Sequence, residues 1–494
     1  MSFPRTLLLT RWAPDARYAG GEDLRKRVSL LPPENVRWAS LSRPVLNREL
    51  KLPEHRSFQP AILHWRLQSS ALQHFYLHAF QAAPLARAIA EWARPFDPQV
   101  LWIGSDMETI AVGTQVARLL RVPLHVTAYD AFEACRFFGV PGLFRWYYLR
   151  QVRECLRMAA TLDAVSTELV DHLRAGFCGE HPGRTMVFPP SVALSELPGP
   201  PEYGLPESPD EPRRIGFCGA ARESAAQWQA FLSLLHQLEW RFEIEVFSDP
   251  DYFPKVPPPA NVSIRFQPYE PTEQSLVRRM RELKVHVCYL GLWKEKEKRL
   301  FAGTSLSSKL TAYAAAGLPV IVNAPEDSVA WRLVRKHGAG VLVRGQKTED
   351  RGQRTEDRGQ RTEDRGQVSE EVDIELLTVN SGGEPGQRKI SPCQAPITGN
   401  HSLSTIHDSL SSLFGDQAAW RAMAEGSARM CREEYDLKRN MQEFRELLAV
   451  AAEDRGRKTE DGRQRTEHRR QRTEDRGRKT EDRRQRTEDR RREG

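Results

Sequence analysis

A chain of 494 residues, 39% of them hydrophobic, exceeds what one core normally organises and leads us to expect two domains of ordinary size with extra segments. Apolar runs such as Thr6 to Thr10 and Val320 to Val322 are strand-length rather than membrane-length, no secretory apolar region follows Met1, and seven cysteines spaced 20 or more residues apart form no CxxC pair. The net charge of +7 divides into +5 from Glu453–Gly494, zero from Lys347–Gln367 and +2 from the rest, so a soluble, reducing, metal-free cytoplasmic protein without specific nucleic-acid binding is the expectation.

In chain order, Arg5-Thr-Leu-Leu-Leu-Thr reads as a strand, followed by a loop with Gly20-Gly21 able to approach a ligand and a helix from Glu22 carrying Arg25, Lys26 and Arg27. A helical stretch from Leu72 to Ala93 precedes the strand at Val100, a helix from Met107 to Leu120, and the strand Leu124-His-Val-Thr ending at Asp130. A helix over Leu143–Ala160, the strand Leu162-Asp-Ala-Val-Ser-Thr and a helix over Glu168–Ala175 complete a βα alternation. The stretch from Pro189 to Pro212 is proline-rich and marks a linker. Beyond it, strands are expected at Arg214-Ile-Gly-Phe-Cys-Gly, Phe242-Glu-Ile-Glu-Val-Phe, Val262-Ser-Ile-Arg-Phe and Val285-His-Val-Cys-Tyr-Leu. An amphipathic helix from Ser307 is ended by Gly317 and Pro319, and a short buried strand follows it. An α/β chain with two parallel-sheet domains facing each other is the expected architecture.

Two segments stand apart. Lys347, Arg354 and Arg361 each open a heptapeptide (K/R)TEDRGQ, and the period returns at Lys458, Arg465, Arg472, Lys479 and Arg486. No position of the unit is apolar, so no coiled-coil seam exists to bury, and disorder is the expectation. The boundaries read as 1–190 for the first domain, 191–212 for the linker and 213–344 for the second domain. A repeat-containing disordered insertion over 345–401, closing helices over 402–450 and a disordered charged tail over 451–494 complete the chain. Deleting the repeats is expected to leave the fold intact, since they hold nothing to set against ordering entropy.

Lys309, Tyr313, Ala315, Ala316, Gly317, Pro319 and Val320 spell KxxxYxAAGxPV, which resembles the signature of the second domain of GT-B glycosyltransferases. Gly338-Ala-Gly-Val-Leu-Val, Asp163-Ala-Val-Ser-Thr and the segment Ser404–Leu448 extend the similarity to roughly residues 1–344 and 402–450. The resemblance implies two Rossmann-like domains across a cleft. Within it, the pattern is similar to group 1 (family-four) and galactofuranosyltransferase-like enzymes of polysaccharide synthesis. Thr304 and Ala312 stand where many family-four members carry two glutamates, so those contacts are not transferred.

What the resemblance implies is transfer of a sugar from a nucleotide-diphosphate donor to a saccharide or lipid-linked acceptor, with no separate cofactor. Expulsion of a diphosphate calls for cations and helix N-termini, which assigns Lys309 and Arg222 to the diphosphate, with Gly219, Ser307 and Ser308 close by and Tyr313 and Gly317 on the donor-site helix. Asp130 is placed as acceptor-orienting group or base, with Tyr129 where relatives have histidine, and Gly20 and Gly21 form the acceptor loop. Asp249-Pro-Asp251 spells a metal-binding DxD but is read as a turn, and His286 as a packed histidine. Phe144-Arg-Trp-Tyr-Tyr-Leu-Arg, with Phe137 and Phe138 before it, is either a core helix or a peripheral contact with an anionic leaflet. Two other readings stay open: a GT-B-fold scaffold without catalysis, and an Arg-rich protein that binds nucleic acid or membrane through its repeats.

Overall fold

The computed structural model describes residues 3–12, 19–41, 54–60, 76–133, 142–178, 183–197, 199–219, 225–270, 272–292, 298–345, 372–375 and 403–453. Arg222, Phe137, Phe138 and the heptapeptide copies lie outside these residues.

Strands β1 (Thr6–Thr10), β2 (Val36–Ser40), β3 (Glu54–Ser57), β4 (Val100–Gly104), β5 (Leu124–Ala128), β6 (Ala159–Ala164) and β7 (Arg184–Val187) form one sheet in the order β3-β2-β1-β4-β5-β6-β7. Every pairing in it is parallel. Helices cover both faces of such a sheet, which is why β1, β4 and β5 are buried at every position, with apolar runs at Leu7 to Leu9 and Val100 to Ile103. The helices are α1 (Ala19–Ser29), α2 (Ala82–Ala93), α3 (Met107–Leu120), α4 (Gly142–Met158) and α5 (Thr167–Leu173), with a wide turn over Leu77–Gln81 leading into α2. Ser166 caps α5 by accepting from Leu169 N–H at 3.0 Å.

The second sheet joins β8 (Arg213–Cys218), β9 (Phe242–Phe247), β10 (Val262–Phe266), β11 (Val287–Gly291), β12 (Val320–Asn323), β13 (Gly340–Gly345) and β14 (Val372–Glu375) in the order β10-β9-β8-β11-β12-β13-β14. All its pairings are parallel except that of β14, which runs antiparallel to β13 with Leu342 opposite Glu375. That strand corrects the expectation of disorder throughout 345–401. Val372 and Ile374 alternate with Asp373 and Glu375, a period-two pattern too short to stand out in a polar stretch. The helices α6 (Ala225–His236), α7 (Glu273–Glu282), α8 (Arg299–Thr304), α9 (Ser308–Ala315) and α10 (Val329–His337) belong to this domain, with α11 (Leu403–Gly415) and α12 (Gln417–Glu434) packed on it.

The last helix, α13 (437–453), returns to the first domain. Leu437, Met441, Phe444, Leu448 and Ala451 share a core with Leu8, Trp38, Val100, Trp102 and Phe188. Where the chain crosses, Val192 N–H donates to Tyr435 O at 2.8 Å and Leu437 N–H to Val192 O at 3.0 Å, so both connections between the domains are tied together.

Candidate functional site

In open parallel sheets, loops at the carboxyl ends of the strands form the ligand crevice. On the second-domain side, β8 ends at Cys218 and turns through Gly219, whose φ of +70° is a left-handed conformation that glycine adopts at no steric cost. A Cβ there would stand 3.3 Å from Lys309 Cε, so the absent side chain also makes room for the lysine. Lys309 sits in the first turn of α9, half-buried, with its ammonium 4.4 Å from the centre of the Phe217 ring. Ser307 is the N-cap and Ser308 is exposed at the helix start. The turn therefore gathers a cation and the N–H groups of a helix start at one point, an arrangement suited to an anion.

The rest of the motif plays other parts. Tyr313 is fully buried, its hydroxyl donating to Tyr289 O at 3.0 Å and accepting from Cys218 N–H at 3.1 Å. It fixes the end of β8 against β11 and presents no group to a ligand. Gly317, with φ of +60°, closes the opposite end of α9 beside Arg281 and Pro201. The expectation that Gly20 and Gly21 form a loop is corrected as well. Helix α1 begins at Ala19 and takes both into its first turn, where Glu22 suits the positive end of the helix.

On the first-domain side, Asp106 follows β4 and Asp130 follows β5. Burial, then the neighbouring Glu108, push the Asp106 carboxyl up to about 7 against the pull of Arg11, with the Asp130 charge adding to the rise. Arg11 pairs with Glu108 at 3.4 Å, and Asp130 is exposed at the rim. A carboxyl raised in this way at the end of a central strand can exchange a proton near neutral pH. Asp249 is spent on its own turn, accepting from Asp251 N–H at 3.0 Å. His286 is buried, accepts from Arg214 N–H at 2.8 Å through Nδ1, and is driven down to about 3 by burial and by the arginines beside it.

The two sides meet at charged contacts. Lys26 on α1 pairs with Glu273, the first residue of α7, and with Glu22 at 3.6 Å, and its ammonium also reaches Ser191 O at 3.4 Å. Burial works against the charge on Lys26, but Glu273 and Glu22 outweigh it and hold the amine above its ordinary value. For Glu273 burial wins, and its carboxyl rises to about 7 despite Lys26. Ser166 Oγ donates to Thr304 O, Thr311 Oγ1 donates to Pro190 O at 3.2 Å, and Arg332 pairs with Glu168 at 2.9 Å.

Beneath α1 lies a buried polar cluster. Arg27, fully enclosed, pairs with Asp23 and Asp163 at 2.8 Å each and lies 3.6 Å over the Phe188 ring. His125 bridges Asp163 and Thr161 at 2.8 Å each, and Thr127 donates to Asp163 while accepting from Trp102 Nε1 at 2.8 Å. Burial alone would raise the Asp163 carboxyl, but Arg27 and the hydrogen bonds from His125 and Thr127 hold it below the usual range.

No family model and no curated protein matches this chain. Among solved structures, Anabaena HepE in complex with UDP and glucose superposes at 12% identity and a TM-score of 0.53, covering 90% of this chain and 99% of its own. Sucrose-phosphate synthase from Thermosynechococcus elongatus does so at 11% identity and 0.54, covering 90% and 100%. The chain has the GT-B fold. In this fold Gly219, Lys309, Asp106, Asp130 and Glu273 lie on loops and helix starts at the carboxyl ends of the strands of the two sheets.

Asp106 and Glu273 are raised from ordinary values of 3.8 and 4.5, so between those values and about 7 each keeps a proton in the folded chain that it loses on unfolding. Their stabilisation is full below the ordinary values and is lost as the pH rises to about 7. Glu273→Gln and Asp106→Asn are therefore expected to compare better with wild type at about pH 7.5 than at about pH 5 in urea unfolding. The same difference at both pH values would contradict these placements.

Proposed function

We propose that the protein is a metal-independent glycosyltransferase that moves a sugar from a nucleoside-diphosphate donor to the hydroxyl of a saccharide or lipid-linked acceptor in cell-surface polysaccharide synthesis. The observation that carries this reading is the left-handed turn at Gly219 against Lys309 at the start of α9. The donor's diphosphate would lie there, its growing negative charge met by the ammonium and the helix N–H groups as the bond to the sugar breaks. Across the cleft, the Asp106 carboxylate takes the proton of the acceptor hydroxyl as that oxygen bonds to the sugar carbon, and Asp130 at the rim orients the acceptor. HepE, similar in fold, is known in complex with UDP-glucose, which supports a nucleotide-sugar donor.

The test is calorimetry with nucleoside diphosphates. Lys309→Ala is expected to weaken binding by about 1.5–3 kcal/mol, the value of a hydrogen bond to a charged group, while thermal unfolding stays close to wild type. Unaltered affinity in a folded Lys309→Ala protein would remove the diphosphate from this turn.

A further inference from the structure

The contact between the two domains contains a charge that is not balanced. Lys26 of α1 reaches across to Glu273, the first residue of α7, and to Glu22 of its own helix at 3.6 Å. Arg27, the next cation of α1, is already held by Asp23 and Asp163. One ammonium therefore stands between two carboxylates, one from each domain, and Asp23 is near enough to add its charge. Glu22 Oε1 is buried without a hydrogen bond.

The second domain surrounds Glu273 with groups that do not answer this excess. Cys218 at the end of β8 and Cys431 on α12 both lie within reach of its charge, and burial raises both thiols, so they stay neutral near neutral pH. Helix α9, packed on α7, brings Lys309 as its one charged side chain, and that ammonium lies over the Phe217 ring. Burial of Glu273, with Glu22 and Asp23 adding to it, outweighs the pull of Lys26 and lifts the carboxyl to about 7.

Domains joined by a polar interface within one chain move relative to one another. When α1 parts from α7, Lys26, Glu22 and Asp23 leave Glu273 together, water reaches the carboxyl, and it returns toward its ordinary value of 4.5. The group binds its proton more tightly with the domains in contact than apart. Contact is therefore favoured at low pH, and that advantage is lost as the pH rises through about 7.

We propose that Glu273 is a proton-operated clasp: the domains hold together through the Lys26 ammonium and a protonated Glu273, and closing the cleft takes up that proton. The clasp rests on the contact between the domains and not on the glycosyl-transfer reading, so each can fail alone. The experiment is small-angle X-ray scattering of the full chain at fixed ionic strength, from about pH 6 to about pH 8. A carboxyl moved from 4.5 to about 7 makes closure about tenfold less favourable across that range, so the wild-type radius of gyration should grow as the pH rises. Glu273→Gln, neutral at every pH, should keep the compact radius throughout. Glu22→Gln removes one opposing charge and should make the growth shallower. Circular dichroism at the acid end of the range checks that each variant is folded. A wild-type radius that does not change, or growth equally steep in Glu273→Gln, would overturn the proposal. Should Glu273→Gln fail to fold, Glu22→Gln decides: growth as steep as that of wild type would overturn it as well.

Discussion

Arg27→Ala is expected to destabilise the protein by about 3–5 kcal/mol, because it leaves Asp163 charged and enclosed without the partner that offsets its burial. Asp163 would keep only His125 and Thr127, and Asp23, itself nearly buried, would lose the same guanidinium. The guanidinium also fills the space over Phe188 and lies 5.8 Å from the ring of Phe444 on α13, so its loss loosens the return helix as well. Arg5→Ala is the control. Its pair with Asp97 is largely exposed and should be worth no more than about 1 kcal/mol. Urea unfolding of both variants decides the matter, and equal small losses would mean that the cluster does not hold the first domain together.

Asp106→Asn should lower turnover by about 10²–10⁴-fold, the usual contribution of a placed proton acceptor, and leave nucleoside-diphosphate affinity as it was. The carboxylate is the active form, so the wild-type rate should rise as the pH passes through about 7 and then level off, while the variant's residual rate should lose that step. The measurement is a pH–rate profile with a donor sugar chosen by thermal-shift screening. A wild-type profile flat from about pH 5 to about pH 8, or a variant with full turnover, would move the role to Asp130.

Much of this architecture was legible in the chain because parallel sheets announce themselves. Leu7 to Leu9, Val100 to Ile103 and Val320 to Val322 are buried on both faces and appear as apolar runs. Strands β3 and β7, at the two ends of the first sheet, do not stand out in the sequence, because Glu54-His-Arg-Ser and Arg184-Thr-Met-Val are partly exposed and carry too little apolar content. Strand β2, Val36-Arg-Trp-Ala-Ser, does not stand out either, its arginine and serine breaking the run. The turn at Gly219 and the lysine at 309 could be singled out by local pattern. Their neighbours could not. Lys26 meets Glu273 across 247 residues and Arg27 meets Asp163 across 136, and nothing local marks one charge of an amphipathic helix as the one that becomes enclosed. Asp106 reads as an ordinary helix-capping residue, and its altered titration arises when the fold buries it beside Glu108, with Asp130 adding to the rise and Arg11 opposing it.

The return of α13 has a consequence for synthesis. The apolar face that contains Leu8, Trp38, Trp102 and Phe188 receives its cover from residues beginning at Leu437. At about 5–20 residues per second, a ribosome that has completed residue 190 needs roughly 12–50 seconds to reach that helix. For that interval the first domain emerges with two tryptophans uncovered, a target for chaperones that bind nascent apolar surface. The core of the first domain closes only when α13 has been made and has returned to it.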